Sequence, residues 1–264
     1  WFAREHNWLA LPDERKVHTV PTPNVGGIAL FAGVVAALGL AWKMDRFSPL
    51  FQGNSEPTGV LLGALVVLVI GARDDVKEVS APARVIAIVG AGMMLVWFGV
   101  TMFYFRIPFL GVIQLGNDWI PIVTVVWLLG MVQAINLIDG LDGLATVPVI
   151  LVAGCFAFIS YVTGNIVFSD YLLIPYIEGT GEVSIFCGAI IGSCLGFLWF
   201  NAPPAKIFMG DTGSQSLGGS LAVISILLKQ EFVLAIAGGL FVIEAISVSI
   251  QVIYFRFTKN CNTV

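Results

Sequence analysis

The segment WIPIVTVVWLLGMVQAINLIDGLDGLATVPVILVAGCFAFISYVT, Trp119–Thr163, decides the fold. Two apolar runs, 119–137 and 144–163, flank a short turn that holds Asp139 and Asp142 among glycines. Each run approaches the ~20 residues that a helix needs to cross ~30 Å of hydrocarbon. A carboxylate at bilayer depth costs ~2.5–3.5 kcal/mol even on the mild insertion scale, so paired acids belong at a membrane edge or in a watered, functional cavity. The i, i+3 spacing puts both carboxyls on one face of a helical turn, where they can converge on one cation. Gly140 and Gly143 add a backbone that bends or is closely approached at that point.

The rest of the chain repeats this pattern. Of its 264 residues 58% are hydrophobic and only 11% charged, and a mean hydropathy of +0.93 is far too apolar for a soluble domain. The composition predicts an all-α polytopic membrane protein forming a single domain over 1–264. Spans are expected at about 26–43, 58–72, 83–103, 119–137, 144–163, 183–200, 214–229 and 232–255, eight in all. Polar alternation of the outer-membrane barrel kind is absent from these runs. No basic run points to nucleic acid, and the four cysteines show no metal-type spacing. P-loop, HExxH, GxSxG and CxxC patterns are also absent, which removes support for ATP hydrolysis, zinc proteolysis and serine esterase chemistry.

Because spans alternate, each loop has an assigned side. Nine Lys and Arg residues, from Arg4, Arg15, Lys16, Arg73, Lys77, Arg84, Lys206, Arg256 and Lys259, fall on one side and four on the other. The first side is therefore expected to be cytoplasmic. Asp74, Asp75, Asp139, Asp142 and Asp211 fall there too, which predicts one cytosol-facing acidic site built by several helix ends.

Three further motifs surround that site. PTPNVGG, Pro21–Gly27, is either a plain turn into the first span or a loop folded over the site, with Arg15, Lys16 and His18 ahead of it to meet phosphate. GARDD, Gly71–Asp75, sets two like charges side by side, which is unfavourable unless Arg73, Lys77 or a cation neutralises them. Hard divalent ions prefer a few carboxylates plus phosphate oxygens, so Mg²⁺ binding is the functional reading. FNAPPAKIFMGDTGSQSLGG, Phe200–Gly219, breaks a helix at Pro203–Pro204 and frames Asp211 with glycines before a new span. Phe208 there offers a stacking face for a base or an interfacial anchor, and Lys206 a phosphate contact or a positive-inside charge. Glu244, inside the last span, reads as a buried helix contact rather than a catalytic group.

Asp74–Asp75, NLIDGLDGLA at 136–145 and FMGDTGSQSLGG at 208–219, in that order and separated by spans, closely resemble the polyprenyl-phosphate N-acetylhexosamine-1-phosphate transferases, the MraY and WecA enzymes of bacterial cell-wall and surface-polysaccharide synthesis. The resemblance covers nearly the whole chain. It implies transfer of a sugar-1-phosphate from a UDP-sugar to undecaprenyl or decaprenyl phosphate in the bacterial inner membrane, with release of UMP and a requirement for Mg²⁺ (Mn²⁺ as the alternative ion). Carried over residue by residue, it makes Asp74 and Asp75 the catalytic doublet and Asp211 the metal ligand. Asp139 and Asp142 become carboxylates that position nucleotide and metal. Gly140 and Leu141 are expected to line the uracil and Phe208 to stack on it. Asn136 matches the family Asn, and Asn201, Lys206 and His18 join the substrate-binding set.

The same resemblance implies ten helices, of which about eight lie within this sequence. One helix at each end and a late histidine-rich loop are expected outside it. Family members often pair, so a homodimer is a further expectation. RKVHTVPTPNVGG and the spacing around Asp74 resemble the GlcNAc-1-phosphate branch, with UDP-GlcNAc as donor, whereas IPYIEGTGE and LGFLWFNAPPAKIFMGD resemble the phospho-MurNAc-pentapeptide branch. UDP-GlcNAc is the preferred expectation and the pentapeptide donor the alternative. A secondary transporter is the rival of another class, since intramembrane acids and Gly-broken helices also build ion sites.

Overall fold

The computed structural model describes residues 5, 8–10, 21–44, 56–77, 79–107 and 111–258. Short strands β1 (Leu9–Ala10) and β2 (Thr22–Pro23) pair antiparallel ahead of helix α1 (Gly26–Trp42). Helices α2 (Glu56–Val76) and α3 (Ala81–Trp97) follow, then an antiparallel hairpin of β3 (Tyr104–Ile107) and β4 (Gly111–Gln114). After it come α4 (Trp119–Ile138), α5 (Thr146–Thr163), α6 (Ile166–Tyr171), a 3₁₀ turn at Thr180–Glu182, and α7 (Val183–Asn201). The described chain ends with α8 (Gly210–Leu227), α9 (Glu231–Ala237) and α10 (Gly239–Thr258).

Local chemistry sets several of these boundaries. Ser80 is extended (ψ 141°) and Pro82 sits in the first turn of α3, where its fixed φ suits a helix start and its missing N–H is not needed. Asn165 caps α6 by accepting from the Val167 and Phe168 N–H groups. Ala202 is extended (ψ 146°) ahead of Pro203, so α7 stops at Asn201.

Helix α8 is the hub, packed against α1, α2 and α4. Every residue from Thr212 to Gly218 is buried, although the run is polar. Its polarity is tolerable because its neighbours are protein: Ser214, Ser216, Ser220 and Ser225 each donate to carbonyls of their own helix. Around this hub α5 packs on α7, α3 lies against α2 and α4, and α10 rests on the outside of α4. The outward faces are apolar, with Trp97, Trp199 and Leu173 at least 85% exposed, the reverse of a water-soluble bundle.

Among the described residues three helices, Trp119–Ile138, Thr146–Thr163 and the unit Thr180–Asn201, are long and apolar enough to cross a membrane. A fourth results if α9 and α10, bent by 78° at their junction, form one broken span. The helices fall close to the eight apolar runs, with two differences. The run expected at 83–103 leaves the helix after Trp97, where the Val100 N–H turns back to the Leu95 carbonyl at 3.0 Å, and continues toward the hairpin. The run expected at 232–255 is broken at Gly238 rather than straight. Glu244 corrects an expectation: it is exposed, because α10 is covered on only part of its surface, by α4 and α9.

Alternation of helix direction gathers the carboxyl ends of α2, α4 and α7 with the amino ends of α1, α3 and α8. The hydrogen bonds among them form the site.

Candidate active site

Asp75, in the last turn of α2, caps α8. Its Oδ1 accepts the Asp211 N–H at 2.7 Å, and its Oδ2 accepts the Thr212 N–H at 3.0 Å and the Thr212 hydroxyl at 2.5 Å. The first N–H groups of a helix have no partner within it and carry its positive dipole end, so a carboxylate from another helix stabilises them doubly. Gly210 makes the approach possible. Its φ is +70°, and a Cβ there would stand 2.6 Å from the Asp75 Oδ1.

The PTPNVGG segment docks on the same feature. The Asn24 amide donates to Asp75 Oδ1 at 3.3 Å, the Phe208 N–H to the Pro23 carbonyl at 2.8 Å, and the Gly26 and Gly27 N–H groups to the Phe208 and Met209 carbonyls at 3.0 and 2.8 Å. The backbones of α1 and α8 touch here, since a Cβ on Gly27 would meet the Gly213 N at 2.1 Å. The segment therefore folds onto the site. Arg15, Lys16 and His18 lie outside the described residues.

One guanidinium joins the acids. Arg84, in the first turn of α3, donates through Nη1 to Asp211 Oδ2 at 2.8 Å and pairs with Asp74 Oδ2 at 3.2 Å. The Asp74 side chain is only 4% exposed, and its Oδ1 takes the Val79 N–H at 2.5 Å. Asn136, near the end of α4, donates to Asp211 Oδ1 and to the Ser214 hydroxyl, both at 2.9 Å. Asp211 is thus the point where α2, α3, α4 and α8 meet.

Asp142 and Asn201 hold the turn beyond α4. Asp142 Oδ2 accepts the Ala205 N–H at 2.9 Å. Asn201, 3% exposed, accepts the Gly143 N–H at 3.0 Å and the Thr146 hydroxyl at 3.3 Å, and donates to the Ile207 carbonyl at 3.0 Å. Its amide is used within the protein on every side. Gly140, Leu141 and Lys206 are exposed on this end, and Phe208 is half-buried.

Asp139 closes α4, and its carboxyl has no hydrogen bond among the described residues. Burial, followed by the negative charges of Asp211 and Asp75, pushes it up from 3.8 to about 7. Asp74 and Asp211 thus share one guanidinium, while Asp75 and Asp139 add negative charge beside them. An excess of hard oxygens and negative charge suits a divalent cation, and Mg²⁺ commonly takes only one or two carboxylates, completing its shell with water and phosphate. Among the described residues no three acidic, His or Cys side chains are grouped as a complete metal cage. Two buried side-chain atoms at Asp211 are without partners among the described residues: Gln215 Oε1 and Arg84 Nε. An acceptor and a donor without partners beside the same carboxylate are chemically compatible with a cation and an anion that arrive together.

The sequence profile of glycosyl transferase family 4 matches residues 57–229, which includes every one of these acids. The chain belongs to glycosyl transferase family 4. Its relatives include a phospho-N-acetylmuramoyl-pentapeptide-transferase of Pelagibacter ubique (strain HTCC1062), 49% identical over 263 residues that cover 94% of this chain and 70% of the relative. One of the same name from Desulfotalea psychrophila is 42% identical over 252 residues, 90% and 68% of the two chains. A third, from Rickettsia bellii (strain OSU 85-389), is 56% identical over 156 residues, 59% and 43%. Membership in glycosyl transferase family 4 bears out the resemblance in the motifs and sets aside the transporter reading. The relatives' names favour the pentapeptide branch, so the alternative donor is better supported than the preferred UDP-GlcNAc. That preference rests on Arg15–Gly27, which lies outside the family match, and on the spacing around Asp74, which lies inside it.

Sequence reasoning brought the acids together but missed Arg84, Asn24, Thr212 and Gln215. In the sequence Arg84 counts simply as a cytosolic cation, and only its place one turn into a helix after an acidic doublet distinguishes it.

Proposed function

We propose that this chain transfers phospho-N-acetylmuramoyl-pentapeptide from a UDP-linked donor to a polyprenyl phosphate, releasing UMP, at the cytoplasmic face of a bacterial inner membrane and with Mg²⁺. The observation that carries the reading is the convergence of Asp74, Asp75, Asp139 and Asp211 with Arg84 and Asn136 at one end of an apolar bundle. That end is the one to which the Lys and Arg bias assigns the cytosol. The names of the relatives support the pentapeptide donor over UDP-GlcNAc.

In the reaction an oxygen of the lipid phosphate attacks the phosphorus that carries the sugar, and the bond to the UMP oxygen breaks. Both reactants are anions, and Mg²⁺, when bound, screens their charge and that of the departing UMP. Phosphoryl transfer asks little covalent chemistry of the protein, so the side chains act by position. Arg84, whose buried Nε has no partner among the described residues, is placed to turn a donor toward phosphate oxygens, while Asp74 and Asp211 hold its Nη1. Asp75 fixes the start of α8 and with it the direction of the Asp211 carboxyl. Asp139, whose carboxyl has no donor among the described residues, is left to receive a proton or a substrate hydroxyl. Leu141 and Phe208 offer apolar surface to the base. The apolar groove of about 430 Å³ between α4 and α10, lined by Val126, Gly130, Ala134 and Ile246, runs along the helix that carries Asn136 and suits the lipid's isoprenoid chain.

The test is release of UMP by membranes holding the full-length protein, supplied separately with UDP-MurNAc-pentapeptide and UDP-GlcNAc. Mg²⁺-dependent release with the first alone is expected. Equal release by an Asp211→Ala variant would contradict the metal role.

A further inference from the structure

We propose that Gln215 supplies the neutral oxygen that completes the protein's share of the cation site at Asp211. This rests on the reading of Asp211 as a divalent-metal ligand and adds a residue to it. Residues i and i+4 of a helix share a face, so Gln215 stands one turn below Asp211 on α8. It is 1% exposed. Its Nε2 reaches Asp211 Oδ2 at 3.4 Å, longer than an ordinary amide hydrogen bond, and its Oε1 is buried with no donor among the described residues. Such an acceptor is unfavourable to leave unmade.

The neighbouring polar side chains of α8 sharpen the contrast. Thr212 donates to Asp75, and Ser214, Ser216, Ser220 and Ser225 donate to backbone carbonyls of their own helix. None leaves an orphan, and packing alone would be met at position 215 by leucine or methionine. Amide carbonyls belong to the ligand repertoire of hard cations. An amide whose nitrogen makes one long contact to Asp211 and whose oxygen makes none can present that oxygen to an ion held on Asp211, at little loss. Gln215 is on this account a ligand for the cation rather than a group that touches the reacting phosphates.

Mn²⁺ binding to the detergent-solubilised full-length protein, followed by electron paramagnetic resonance, tests it alongside thermal unfolding with and without Mg²⁺. Gln215→Leu is expected to weaken Mn²⁺ by about tenfold or more, in the range seen when support for a metal site is removed. The same variant should unfold no lower than wild type in the absence of metal, because it deletes an orphaned acceptor, while its gain on adding Mg²⁺ shrinks. Gln215→Glu should bind Mn²⁺ more tightly. A folded Gln215→Leu protein that binds Mn²⁺ as wild type does would overturn the proposal and assign the orphan to a buried water. Should that variant fail to fold, magnetic coupling between Mn²⁺ and ¹³C-labelled glutamine side chains in the wild type decides: coupling supports the contact, and its absence overturns it. Equal Mn²⁺ binding by wild type and Asp211→Asn would remove the Asp211 reading and this one together. Dependence on Asp211 but not on Gln215 removes this one alone.

Discussion

The Asp75 carboxylate accepts the backbone N–H of Asp211 at 2.7 Å, so one motif acid sets the position of another across 136 residues of sequence. With Thr212 it accepts three donors at the start of α8. Asp75→Ala removes all three bonds and a favourable charge at the helix dipole, and is expected to destabilise the protein by about 1–2 kcal/mol, the usual worth of a lost cap. Asp75→Asn retains an acceptor and should recover part of that stability. Thermal unfolding of the solubilised variants without substrate checks this. A purely catalytic Asp75 would lose turnover with unfolding unchanged.

Asn201 gives a second separation of roles. Resemblance places it among substrate-binding residues, yet its amide bonds Gly143, Thr146 and Ile207 in a 3% exposed position. Asn201→Ala leaves buried partners unmade, which costs about 1–3 kcal/mol. The expected outcome is a lower unfolding temperature together with reduced kcat, because the 139–146 turn loosens. A rise in donor KM alone, at unchanged stability, would restore Asn201 to the substrate.

Arg84 is the single guanidinium between Asp74 and Asp211 among the described residues. Arg84→Gln keeps length and some donors but leaves the two carboxylates to repel. Turnover is expected to fall by at least about 100-fold, the scale seen when one preorganised donor to developing charge is lost. Arg84→Lys restores the charge without the forked geometry and should recover only part of the loss. Single-turnover rates for the three proteins provide the measurement.

The helices were legible because uninterrupted apolar runs such as 119–137 and 144–163 leave little alternative to a helix, and the acids because Asp139 or Asp211 has no reason to lie beside lipid unless it serves something. Residues that play a part already covered by a simpler rule were not legible. Arg84 satisfied the orientation bias, Gln215 was one neutral amide in a helix, and Asn24 sat in a turn that Pro and Gly explained. The β3–β4 hairpin escaped notice since Gly99–Phe103 extends an apolar run without changing its composition. Long-range bonds such as Asp75 to Thr212 depend on helix packing, which no local pattern records.

Asp139 makes stability depend on pH in a direction opposite to the usual surface carboxylate. Its ionisation is pushed from 3.8 up to about 7 by burial and by the charges of Asp211 and Asp75. A folded-state value above the unfolded one means that the stabilising contribution is whole below about pH 4 and is lost as pH rises through about 7. Metal-free protein should therefore be less stable at pH 8 than at pH 5.5, by on the order of 1–2 kcal/mol after allowance for partial exposure. Asp139→Asn removes one of three raised carboxyls and should reduce that slope, while Asp75 and Asp211, pushed up to about 6 and about 7 chiefly by burial, supply the remainder. Mg²⁺ should flatten it in the wild type as well, because a cation among these carboxylates favours their ionised forms. Unfolding temperatures at the two pH values, with chelator and with Mg²⁺, give the four readings required. A slope undiminished in Asp139→Asn would assign the whole effect to Asp75 and Asp211.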